Sequence, residues 1–136
     1  TNIWLERLLD QDRADEVRRL LDQVSSDRLF ITDFSFHSIG VILLRLGQSE
    51  AFLRFAEDLF ADGAVRLVSL DPADTGRIVA VASEYHLDFD DAYQYVAAEQ
   101  DDVALVSFDA DFDGTERRRI TPSEVLETLL RQENEE

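Results

Sequence analysis

Three short, mostly apolar runs, "RLFIT" (28 to 32), "AVRLVSL" (64 to 70) and "VALVSF" (103 to 108), are each followed directly by an aspartate. This pattern constrains the chain more than any other feature. A strand with one wet face alternates apolar and polar residues. A strand covered on both faces reads as a nearly unbroken apolar run and needs helices on either side. The three runs therefore predict a mostly parallel sheet enclosed between helical layers.

The intervening segments have the periodicity to supply those helices. Residues 3 to 24, "IWLERLLDQDRADEVRRLLDQV", place leucine and valine at helical intervals on both sides of a polar break near Asp10 to Asp12, which predicts two helices. Residues 33 to 47 open on an aspartate and close on Gly47, and residues 49 to 63 do the same with Ser49 and Gly63. Asp71-Pro72 opens a helix running to about His86, and residues 89 to 100 form another. Thr121 and Glu124 stand at capping-box spacing, with Pro122 between them, before a last helix. The expected fold class is α/β, a three-layer α/β/α domain over residues 1–131 with a charged tail at 132–136. In such sheets sites collect beyond the carboxyl ends of strands, which puts Asp33, Asp71 and Asp109 on one rim.

The stretch after the third run, "DADFDG" (109 to 114), begins like a calcium-binding EF-hand loop. Counting from Asp109, however, the twelfth position is Ile120 where a bidentate carboxylate is required, and a strand rather than a helix precedes the loop. The chain has 30 acidic residues against 13 basic ones, all of them arginine. The absence of lysine excludes a Walker-A phosphate loop, Schiff-base chemistry and lysine-assisted phosphoaspartate sites. The absence of cysteine excludes disulfides and thiolate metal sites. No stretch is long and apolar enough to span a membrane and there is no signal-peptide pattern, so the expected location is cytoplasmic. A net charge of -17 suits either a salt-rich cytoplasm or a genome favouring arginine codons.

A second acidic group, Asp88, Asp90 and Asp91, lies in or just before the first turn of the helix 89 to 100. Helix capping and dipole compensation account for one or two of these carboxylates. Asp91, beside the small Ala92, is placed to face Asp109 across the rim. Converging carboxylates without thiols suit magnesium or manganese, and the reaction class that follows is metal-assisted phosphodiester hydrolysis. Arg117, Arg118 and Arg119 then offer guanidinium groups to a phosphate, against the alternative that they pair with the acidic surface. The phenylalanines from Phe30 to Phe60 read as core and Trp4 as an interface residue, and His37 and His86 have no partner at metal-ligand spacing.

In order and spacing, "TNIWLE", "FITDFSFHSIGVIL", "LDFDDAYQYVAAE" and "LVSFDADF" resemble the four motif regions of PIN domains, in the branch of VapC-like toxin ribonucleases. The resemblance implies a central parallel sheet, an acidic pocket for magnesium or manganese, endoribonuclease activity on an RNA substrate, homodimers and a small antitoxin partner. It assigns Asp91 to the third-motif acid and Asp109 to the fourth, with Asp111 accessory to both and Asp90 nearby. The first-motif aspartate would precede Thr1, together with the first strand, leaving Thr1 and Asn2 beside the pocket. The second-motif glutamate falls on Ser38, with Asp33 the nearest acid. That replacement keeps open a non-catalytic PIN-like module binding a protein or RNA.

Overall fold

The computed structural model describes residues 2–9 and 12–135, without the side chains of Asn2, Glu6 and residues 133–135. Helices α1 (Asn2–Leu8) and α2 (Ala14–Gln23) flank the expected polar break, of which residues 10 and 11 lie outside the described residues. Then come β1 (Phe30–Thr32), α3 (Asp33–Arg45), α4 (Ser49–Ala56), a π-helical turn at Glu57–Ala61, and β2 (Arg66–Val68). Helices α5 (Thr75–Tyr85), α6 (Phe89–Asp101) and α7 (Pro122–Glu135) complete the order, with a 3-10 turn at Ala110–Gly114 before the last. Helix α7 continues through residues 132–135 of the charged tail.

Strands β1 and β2 pair in parallel, with Phe30 opposite Arg66, Ile31 opposite Leu67 and Thr32 opposite Val68. This is the helix-rich α/β class with a parallel sheet. One element departs from expectation: residues 103 to 108 form no full strand, only a parallel bridge between Val106 and Ile120. The amide of Ser107 donates to the Ile120 carbonyl at 3.1 Å, and the Ile120 amide to the Leu105 carbonyl at 2.8 Å. Only one edge of the segment is thus engaged by the ladder. Apolar composition favours a strand but does not by itself supply the continuous ladder of backbone bonds that defines one.

Helix starts follow local chemistry with two revisions. Thr32, not Asp33, caps α3, its hydroxyl accepting from the Ser35 amide at 3.0 Å. Gln48, not Ser49, occupies the cap position of α4 and makes no side-chain bond there. Asp71 and Asp74 form a reciprocal capping box before α5, which ends on His86 in the left-handed conformation. The start of α7 borrows a cap from α2: Glu16 accepts from both the amide and the hydroxyl of Ser123.

Two apolar clusters result. Helices α5 and α6 enclose Ile78, Val81, Tyr95 and Val96, closed by Phe112 from the turn after Asp109. Ile31 of β1 packs with Ile39, Leu43, Phe55 and Leu59, and rings of Phe36, Phe52 and Phe60 adjoin them. Trp4, partly buried, meets Phe55 edge-on at 5.5 Å within this second cluster. A Cβ at Gly40 would lie 2.9 Å from Phe52, so the glycine lets α4 approach α3 closely.

Candidate metal centre

A cleft of about 630 Å³ is lined by β1 and by residues 103 to 107. Phe30, Ile31 and Thr32 line it together with Val103 to Ser107, while helices contribute Ile3, Leu20, Ala97 and Leu129. Asp90, Asp91 and Asp109 also border it, beyond the ends of the two strand segments. Packed interiors hold few voids larger than a water molecule, so an apolar cleft of this size between strand edges is unusual.

Asp91 stands in the first turn of α6, which Asp88 caps by accepting the Asp91 amide at 2.9 Å. Asp109 begins the 3-10 turn. Its amide donates to the Ser107 hydroxyl at 3.0 Å and its carboxylate accepts from the Asp111 amide at 2.9 Å. These local bonds turn the chain back on itself and bring Asp111 beside Asp109. One carboxylate oxygen from each of Asp91, Asp109 and Asp111 lies within 4.8 Å of the others. Asp91 and Asp109 are half-buried and Asp111 is exposed.

The Asp91 carboxyl responds first to burial and then to its acidic neighbours. Burial, followed by the charges of Asp88, Asp109, Asp90 and Asp111, pushes its pKa from the ordinary 3.8 up to about 7. A carboxyl held in this way is one that a cation would return to the ionised state. The donors are all oxygen, they converge, and one side is open to solvent, which fits a hard divalent ion that retains waters.

The other candidates fall elsewhere. Asp33 lies outside the cluster of Asp91, Asp109 and Asp111, and its Oδ1 accepts from the Tyr93 hydroxyl at 2.7 Å and from the Phe34 amide at 2.8 Å. Ser38 is not among the residues of the acidic cleft and lines a second groove with Phe34, His37, Val41 and Ile42. Asp90 accepts from Gln94 at 3.4 Å, and Asp71 is occupied in its capping box. Thr1 and the side chain of Asn2 lie outside the described residues. Arg117 pairs with Asp102 at 3.0 Å, and Arg119 grips both oxygens of Asp113. Arg118 is exposed, has a φ of 58° and forms no ion pair among the described residues.

Sequence reasoning did not single out the polar tips of "YQY" (93 to 95). Tyr93 reaches Asp33, Gln94 accepts from the Thr32 hydroxyl at 3.0 Å, and the Tyr95 hydroxyl accepts from the Arg117 amide at 3.3 Å. The available signal was three long polar-tipped side chains in succession, bounded by Ala92 on one side and Val96 on the other.

Among the described residues no helix is long and apolar enough to cross a membrane. Neither the curated proteins nor the solved structures contain a significant match to the chain. The family model of the PIN domain matches residues 1–118, covering both Asp91 and the Asp109 turn. The chain therefore belongs to the PIN domain family.

Proposed function

We propose that this protein is a metal-dependent endoribonuclease of the VapC-like PIN branch, acting as the toxin of a toxin-antitoxin pair in the cytoplasm. PIN domains have nuclease-type functions in general and generally use divalent metal ions. The observation that carries the reading is the convergence of Asp91, Asp109 and Asp111 within 4.8 Å at one border of the cleft. Asp91 and Asp109 would hold magnesium or manganese, with Asp111 completing the protein's share. When bound, such an ion stabilises charge developing on a phosphodiester and acidifies water for attack on it.

The protein's own groups do the rest. The half-buried carboxylates restrict solvent on one side of the site, while exposed Asp111 leaves the other side open to an RNA strand. Of the three successive arginines, Arg118 is the one whose guanidinium is left for a backbone phosphate, because Arg117 and Arg119 are already paired. A charge of -17 opposes binding of a polyanion, so recognition would rest on such local contacts. An antitoxin covering the acidic border and a homodimer belong to the same proposal.

A second reading, a non-catalytic PIN-like module, is favoured by Ser38 in a separate groove and Asp33 committed to Tyr93. Incubation with mixed RNA and manganese separates the two. Cleavage that disappears in Asp91→Asn and with chelator supports the nuclease. Binding of RNA without cleavage by the unsubstituted protein supports the module.

A further inference from the structure

The first turn of α6 must be held in one place if Asp91 is to meet Asp109, because the two arrive from different elements. Phe89 meets Phe34 at 6.1 Å in the turn that Asp88 caps, a packing contact without hydrogen bonds, and Asp91 follows on that turn. Two residues further on, Tyr93 is buried, at 8% exposure. Its ring sits among Phe34, at 5.4 Å, and Phe89, at 6.3 Å. Its hydroxyl makes two bonds of opposite sense. It donates to Asp33, the first residue past β1, at 2.7 Å, and accepts from the amide of Leu70, just past β2, at 2.9 Å. One oxygen atom thus joins α6 to the ends of both paired strands. Gln94 adds a parallel link to Thr32.

We propose that Tyr93 and Asp33 form a positioning pair for the metal centre: Asp33 acts through the Tyr93 hydroxyl to fix α6, and hence Asp91, at the distance that lets Asp91 share a cation with Asp109. This proposal rests on the metal-site reading above and changes the role of Asp33 from ligand to anchor. The chemistry of the link is demanding in direction. Tyr93 must donate to a side-chain oxygen and accept from a backbone amide at once, which a neutral phenol can do and a phenolate or phenylalanine cannot.

Manganese binding to the full chain, measured by electron paramagnetic resonance of the free ion, tests the pair without relying on turnover. Tyr93→Phe keeps the ring packing and removes only the hydroxyl. The expected result is an affinity about tenfold weaker, at the low end of losses from groups that orient ligands without touching the metal. Asp33→Ala is expected to lose a similar factor. Asp33→Asn, which retains an oxygen to accept from Tyr93, should stay within about twofold of the unsubstituted protein. Rescue by asparagine distinguishes an anchor from a ligand, since a metal-binding carboxylate would not be replaced by an amide at equal affinity. Unchanged affinity in Tyr93→Phe, or equal losses in Asp33→Asn and Asp33→Ala, overturns the proposal. If Tyr93→Phe fails to fold, the two Asp33 variants decide alone. Absence of manganese binding by the unsubstituted protein overturns the metal-site reading and the positioning pair with it.

Discussion

Replacing Asp91 with asparagine should stabilise the metal-free protein while destroying its metal site. A carboxyl whose pKa is raised from 3.8 to about 7 by folding is penalised in its ionised form. Taken at face value the rise corresponds to about 4 kcal/mol at pH 8. The group is only half-buried, so solvent screening reduces this to about 1–2 kcal/mol, and the helix N-terminus offsets part of what remains. The penalty is fully present above the folded-state pKa. It is relieved as pH falls through about 7 towards 3.8, because the folded protein takes up a proton there while the unfolded chain stays ionised. Urea denaturation in chelator, at pH 8 and pH 5.5, measures both effects. The unsubstituted protein should gain stability on acidification over this interval, and Asp91→Asn should gain less. At pH 8 the variant should exceed the parent by about 1–2 kcal/mol, or a melting temperature higher by roughly 3–10 °C. A variant that is less stable than the parent at pH 8, with both metal-free, would show that the carboxylates are not crowded and would refute the reasoning.

Other outcomes follow from single contacts. Arg118→Ala should weaken RNA binding several-fold and leave the melting temperature unchanged, whereas Arg117→Ala should cost stability of about 0.5 kcal/mol that added salt removes; filter binding and thermal melts at two salt concentrations check both. Gly40→Val forces a side chain towards Phe52, 2.9 Å from an added Cβ, and should destabilise by about 1–3 kcal/mol in denaturant titration. Leu43→Ala, at a site 1% exposed, should cost about 2–5 kcal/mol by the same assay, with manganese affinity retained in whatever fraction remains folded.

The parts of this architecture set by local chemistry were legible in the sequence. Asp71-Pro72, Asp88 and Gly47 mark helix ends through capping and backbone conformation, and each acts there in the structure. Asp91 and Asp109 were paired from their positions beside a helix start and a strand end, and the structure brings them together with Asp111. The strand at 103 to 108 was over-read because its apolar composition says nothing about which edges find partners. Asp33 shows a related limit: a carboxylate at a strand end is equally suited to bind a cation or a phenol, and only the fold places Tyr93 within reach. The arginines divide as they do because Asp102 and Asp113 lie nearby in space, a proximity that charge counting alone does not reveal.

The most direct measurement of the central claim is paramagnetic broadening by manganese of the amide resonances of isotopically labelled protein. Substoichiometric ion should first broaden residues 88 to 91 and 109 to 111, and spare the groove around His37 and Val41. Broadening spread evenly over the acidic surface, with no preference for those two segments, would contradict a metal centre at Asp91, Asp109 and Asp111.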